Sequence, residues 1–202
     1  EGCIRLNGID VRDLNRENYY RLFSAVFQSF EAFCAPIRVN IAPGTVEFRR
    51  TVSVAWCAYS HITQLRSWLP DAVGGVCWLS VDNPGQSPRV PVFCGTTRLP
   101  EAYDRCGQNY YDPASALWQF RRANKLATVA WQSTKGQLLD QVQQVEESSI
   151  QGLKELESQV TAADAERAAA LLNAYTTRVY DDAVSRWSQL EAAFWQRFGL
   201  GF

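Results

Sequence analysis

Nucleophilic chemistry in this chain would have to come from six cysteines and one histidine. The cysteines are Cys3, Cys34, Cys57, Cys77, Cys94 and Cys106, and the histidine is His61. A thiol becomes a good nucleophile when a neighbouring base or positive charge holds it as thiolate. His61 lies near enough in sequence to serve Cys57 or Cys77 in that way, but a structural His61 is the simpler reading. Cleavage after Gly2 would expose Cys3 as an N-terminal nucleophile with its own α-amine as base. Cys3 sits mid-strand with no activating neighbour, so that role is not expected. No CxxC occurs and only one His is present, which speaks against zinc and any other metal. An even cysteine count invites a disulfide framework. This chain is long and apolar enough to do without one, and buried reduced thiols are expected.

The totals bound what surrounds these residues. The chain has 202 residues, which suits one domain or one domain plus a fragment, and with 47% hydrophobic and 20% charged residues a soluble protein with a real core is expected. A net charge of -1 gives no electrostatic case for nucleic acid or an anionic membrane. No apolar run reaches membrane-spanning length, and the first residues lack a signal-peptide pattern. Residue 1 is Glu and no Met occurs, so the expectation is a piece of a longer reading frame. Compartment and oligomeric state are left open.

Taken in order, residues 1–44 read as a strand–helix–strand unit. Asn7-Gly8 is a two-residue hairpin turn between alternating segments. Asn15 caps a short helix up to Arg21, Leu22 to Phe27 is a compact apolar strand, and Pro36 precedes a short segment at 37–41. Residues 45–56 alternate and are β-branched, which predicts a strand carrying Arg49 and Arg50 on opposite faces. Three more strands are expected at 60–66, 75–81 and 89–95. Gly74-Gly75 would allow a tight approach to the second, and Asp82-Asn83-Pro84-Gly85 would turn the chain after it. Trp56, Trp68 and Trp78 are spaced to pack on the sheet.

The second half is helical. Asp112 is expected to cap a helix with Pro113 in its first turn, with Arg121, Arg122 and Lys125 on its exposed side. One long helix is predicted over 134–160, in which Gly152 is tolerated, and another over 165–198 after cap chemistry at 161–164. The two would form an antiparallel hairpin. Their apolar pattern drifts from a heptad, so packing on the chain's own sheet is expected rather than a partner-binding coiled coil.

Two stretches resemble known families. Gly2-x-Ile4-x-Leu6-Asn7-Gly8-x-Asp10, Tyr20-Arg21-Leu22-Phe23-Ser24-Ala25-Val26-Phe27-Gln28 and Pro36-Ile37-Arg38-x-Asn40-Ile41-Ala42 resemble the glutamine-loop region of ABC transporter nucleotide-binding domains. That resemblance implies that Gln28 is the loop glutamine. The phosphate loop, the signature motif and the downstream His of that family are absent, so no nucleotide activity is expected from residues 1–44. An ATP-binding transporter fragment, fused or misjoined, is the alternative reading of the chain.

From residue 46 the resemblance is to cysteine dipeptidases of the dipeptidase A and secernin type. It rests on Arg50-Thr51-Val52-Ser53-Val54, Ser60-His61-Ile62-Thr63-Gln64-Leu65-Arg66, Trp68-Leu69-Pro70 and Gly74-Gly75-Val76-Cys77-Trp78. It continues in Pro91-Val92-Phe93-Cys94-Gly95, Leu99-Pro100, Tyr111-Asp112, Ser115-Ala116-Leu117-Trp118-x-Phe120 and Asn124-Lys125-Leu126. The resemblance implies an N-terminal nucleophile hydrolase fold that cleaves dipeptides or short peptides without a cofactor, using a cysteine at the mature N-terminus. It makes Arg50 the candidate for oxyanion or substrate support; pairing with a carboxylate is the equal alternative. With Glu at position 1, the nucleophile is expected to be missing and the chain inactive by itself. The fold class expected is α+β, a partial N-terminal nucleophile hydrolase sandwich. Its parts are a 1–44 segment and a 45–202 dipeptidase-like portion, with strands in 46–112 and helices in 113–198.

Overall fold

The computed structural model describes residues 5–6 and 9–10, then 53, 54 and 56–199. The chain forms two compact units, Glu1–Thr51 and Val52–Phe202. In the first, strands β1 (Arg5–Leu6) and β2 (Ile9–Asp10) pair antiparallel with Leu6 opposite Ile9, as the Asn7-Gly8 turn signal predicts. The helix expected at 15–21 and the segments at 22–27 and 37–41 lie outside the described residues.

In the second unit the sheet is antiparallel in the order β3-β4-β5, with β3 at Tyr59–Leu65, β4 at Gly75–Val81 and β5 at Val90–Phe93. A short helix, α1 (Asp71–Gly74), links β3 to β4. A Cβ on Gly74 would stand 2.9 Å from the Arg66 carbonyl, so the close approach there needs glycine. β5 is shorter than the 89–95 run predicts. The Arg89 backbone N–H is drawn away to the Glu146 carboxylate at 3.2 Å, and the chain past Phe93 turns toward Ala72, where the Gly95 N–H donates at 2.8 Å. The predicted strand at 45–56 is not seen at its described end: residue 53 is a bend, 54 is irregular and 56 is in a turn, and the Cys57 N–H closes back on the Val54 carbonyl at 3.0 Å. Trp56 and Trp68 are 61% and 76% exposed rather than packed on the sheet; Trp78 is half-buried and donates to Gln64 at 3.2 Å.

The helices are α2 (Ala116–Val129), α3 (Trp131–Gln151), α4 (Leu153–Thr161) and α5 (Ala165–Gly199). The start of α2 corrects the sequence reading. Ser115, not Asp112, is the cap: its Oγ accepts from the Trp118 N–H at 3.4 Å, while Asp112 is pulled aside by Arg105 at 2.9 Å. The predicted helix 134–160 is divided at Gly152. Tyr175 on α5 presses its hydroxyl against this point, donates it to the Ser149 carbonyl, and would lie 2.7 Å from any Cβ at 152. At the next helix start, Asp164 caps α5 by accepting from the Arg167 N–H at 2.8 Å, as the sequence suggests.

α5 carries the longest buried stripe: Ala168, Leu172, Thr176, Val179, Ala183, Trp187, Leu190 and Phe194 recur at three- and four-residue steps. It packs on the sheet, where Thr176 donates to the Pro91 carbonyl at 2.8 Å and Phe93 meets Tyr175 edge-on with centroids 6.1 Å apart. It also packs on α2, where Phe120 and Trp187 lie 5.4 Å apart. The second unit is therefore α+β, a small antiparallel sheet backed by long helices that close on that sheet. Among the described residues, no helix is long and apolar enough to cross a membrane.

Candidate functional site

The turn after β4 does more than reverse the chain. Asp82 has φ 64°, the one positive φ among the described non-glycine residues, and it is fully buried. Asp is among the few residues that tolerate the left-handed region. Its backbone N–H donates to Ala58 at 2.8 Å and extends the β3–β4 ladder by one residue. Asn83 completes the turn by accepting from the Gly85 N–H at 3.0 Å and from the Ser53 hydroxyl.

A buried carboxylate has to be paired and hydrogen-bonded. Asp82 meets both conditions through α2. The Arg121 Nε donates to Oδ1 at 2.6 Å and the Asn124 Nδ2 to Oδ2 at 2.9 Å. Arg121 also reaches the Cys57 carbonyl at 3.1 Å and lies over the Trp118 ring. Asn124 donates to Ser87 at 2.8 Å and accepts from the Trp187 indole at 2.9 Å. The sequence reading placed Arg121 and Arg122 on a solvated face. Instead, Arg121 is largely buried and Arg122 pairs with Glu191 at 3.0 Å. Lys125 alone of the three is exposed.

Beside this network, the ends of β3 and β4, residues 102–108 and the start of α2 enclose a cavity of about 230 Å³. Ala58, Val81, Ala102 and Leu117 make its walls apolar, and Arg105, Cys106 and Gln108 add polar groups. The Asp112 carboxylate holds Arg105 in place, and that ion pair keeps Asp112 below the usual carboxylate range. Such a hollow fits a small apolar side chain beside a polar edge. A larger hollow of about 330 Å³ lies between α4 and α5 and holds no cysteine or histidine.

The thiols are not arranged for attack. Burial pushes both Cys57 and Cys77 up, and the nearby Asp82 charge adds to this at Cys57. Cys57 donates to the Tyr59 carbonyl at 3.2 Å. His61 is exposed on β3 opposite Leu79 and hydrogen-bonds to neither thiol. Cys94 and Cys106 are exposed and free. Among the described residues, no group of three or more His, Cys, Asp or Glu is placed to hold a metal. Cys3, Gln28, Cys34 and Arg50 lie outside the described residues.

Sequence reasoning missed Asp82, Arg121 and Asn124. Their one signal was the spacing of Arg121 and Asn124, three apart on a helix and so on one face. It also missed Arg66, which is buried, pairs with Glu157 and donates to the Val73 carbonyl at 2.7 Å.

Comparison with known proteins adds an independent line. The model of Peptidase family C69 matches residues 36–144, which include the whole sheet, the cavity residues and α2. The chain is 30% identical over 91 residues to "Probable dipeptidase B" of Streptococcus pyogenes serotype M1, covering 45% of this chain and 18% of that protein. It is 41% identical over 54 residues to "Probable dipeptidase" of Latilactobacillus sakei, covering 27% of this chain and 11% of the relative. The matched region thus spans under a fifth of these relatives' length. A match over more than half of its residues, on the elements that build the Asp82 network and the neighbouring cavity, makes the chain a member of peptidase family C69.

Proposed function

We propose that this chain is a scaffold and substrate-binding portion of a dipeptidase that acts on dipeptides or short peptides. The carrying observation is that the family match falls on the sheet, the 230 Å³ cavity and α2 together. In this reading the sheet and helices belong to an N-terminal nucleophile hydrolase sandwich. A cysteine thiol gives its proton to a free α-amine as its sulfur attacks the peptide carbonyl; the proton passes to the leaving amine, and water then cleaves the thioester. Nearby donors stabilise the oxyanion, and Arg50 is our candidate for that support. Cys57 and Cys77, with their raised thiols, and His61, which bonds to neither, are left with structural roles.

We read 45–202 as the dipeptidase-like portion and assign no nucleotide chemistry to 1–44 or to Gln28. A dipeptide panel tests the proposal, with ligand shifts read by NMR and amino-acid release assayed under reducing conditions. The expected result is saturable dipeptide binding without thiol-dependent turnover. Absence of binding across the panel would sink the dipeptidase reading. Appreciable turnover would show that this chain carries its own nucleophile.

A further inference from the structure

The cavity of about 230 Å³ beside the Asp82 network is sharply biased in charge. Among the described residues that line it there is no Asp, Glu or Lys, and Arg105 carries the one formal charge. Tyr59, Leu79, Val81 and Leu117 make the interior apolar. Pockets for drug-sized ligands run to roughly 300–1,000 Å³, so this one suits a single amino-acid residue rather than a long peptide.

The Arg105 guanidinium is oriented but not saturated. Its Nε donates to Asp112 at 2.9 Å, and among the described residues its two terminal nitrogens meet no acceptor. A guanidinium presents its donors as a rigid fork that matches a carboxylate. Asp112 is occupied on both oxygens, since the second accepts from the Ala114 N–H at 3.0 Å. Neither Asp112 nor Glu101, the other carboxylate near Arg105, lines the cavity. The wall that carries Arg105 is clamped to α2. The Trp118 indole N–H donates to the Gly107 carbonyl at 2.7 Å and to the Tyr110 carbonyl at 3.0 Å. A Cβ on Gly107 would stand 2.4 Å from the Ser115 Oγ, so glycine is what lets the chain lie this close. A ligand therefore meets a guanidinium already in place and has little of it to order.

We propose that this cavity takes the C-terminal residue of the peptide substrate, an assignment that rests on the dipeptidase reading. An apolar side chain enters between Leu79, Val81 and Leu117. The free α-carboxylate takes the two terminal nitrogens of Arg105 as a bidentate, charge-assisted pair. The peptide bond to be cut then lies just outside the mouth, one residue back from the carboxylate. Two preferences follow. A lysine or arginine side chain is rejected, because its charge would enter an apolar hollow with no carboxylate to pair it, beside a guanidinium of the same sign. A peptide whose C-terminus is blocked is also rejected, because the fork loses its acceptor.

Cys106 supplies a natural reporter: it lines the cavity and is exposed, whereas Cys94 is exposed and lies outside it. Iodoacetamide labelling of the whole chain, read residue by residue by mass spectrometry, is followed with Gly-Leu, Gly-Leu-amide, Gly-Lys and N-acetyl-leucine. Gly-Leu and N-acetyl-leucine should protect Cys106 several-fold and leave Cys94 unchanged. Gly-Leu-amide and Gly-Lys should need roughly tenfold higher concentration for the same protection. Arg105→Gln, with its fold checked by circular dichroism, should bring Gly-Leu down to the level of its amide; the ligand series on the wild-type chain decides the matter without it. Equal protection by Gly-Leu and Gly-Leu-amide overturns the proposal, as does a preference for Gly-Leu that persists in Arg105→Gln. Gly-Leu binding seen by NMR without protection of Cys106 overturns it too, while leaving the dipeptidase reading intact. Absence of binding by every dipeptide overturns both.

Discussion

Asp82 and Arg121 form a 2.6 Å ion pair between the turn after β4 and the middle of α2, with the carboxylate fully buried. Removing one member of such a pair leaves the other's charge buried and uncompensated, which typically destabilises by about 3–5 kcal/mol. Asp82→Ala and Arg121→Ala are each expected to lose roughly that much. The double variant should lose clearly less than the sum, because neither charge is then left alone. Urea denaturation of the three variants measures the coupling; simple additivity would show that the pair does not act as a unit.

Arg66 presents a different geometry. Its guanidinium is shared between the Glu157 carboxylate and the Val73 carbonyl, so one side chain ties the end of β3 to α1 and α4. A lysine keeps the charge but not the planar fork. Arg66→Lys should therefore lose about 1–3 kcal/mol, since buried acceptors lose their donors. A Tm equal to that of the wild-type chain would refute the fork's role.

Two glycines in the helical half should respond in opposite directions to alanine. Gly136 lies exposed in α3 with nothing within 4 Å of a new Cβ, so Gly136→Ala should stabilise by about 0.5–1 kcal/mol. A Cβ at Gly152 would stand 2.7 Å from the Tyr175 hydroxyl, so Gly152→Ala should destabilise and Gly152→Ala with Tyr175→Phe should recover part of the loss. Thermal melts of the three chains decide this.

Arg105 holds Asp112 below the ordinary carboxylate range. A carboxylate with a depressed folded pKa contributes stability above its unfolded value, and that contribution fades as pH falls through the folded value. Asp112→Asn keeps the acceptor for the Ala114 N–H but removes the charge. The Tm difference between wild type and Asp112→Asn should be full near neutral pH and should close in acid, below about pH 4. A difference independent of pH would mean that the ion pair does not contribute.

Burial should also sort the thiols. Cys57 and Cys77 are pushed toward the protonated form, whereas Cys94 and Cys106 are exposed. Iodoacetamide near neutral pH should modify Cys94 and Cys106 several-fold faster, read residue by residue by mass spectrometry. Preferential labelling of Cys57 would point to an activated thiol after all.

What the sequence made legible follows from the range of the interactions. β4 appears at its predicted bounds because Gly74-Gly75 and the Asp82–Gly85 turn punctuate it locally. α5 is equally plain, since its apolar steps persist over many turns. The Asp82 network was hidden because a turn signature describes a backbone, and nothing local says that its first side chain will point into the core toward α2. Gly152 looked tolerable because its helix-breaking partner, Tyr175, comes from another helix. The dipeptidase-type resemblance, by contrast, rests on a string of local motifs, and the family match falls on the same stretch.

Trp187 gives the network a further meaning. Its indole N–H is fully buried, bonded to Asn124, and through Asn124 joined to Asp82. That proton can exchange with solvent only when α2 and α5 come apart, an opening that also strips Asp82 of a partner. One indole resonance in a hydrogen-exchange experiment should therefore follow the whole-unit opening rate rather than local fraying. The turn of the sheet and the helices behind it would then unfold as a single cooperative body.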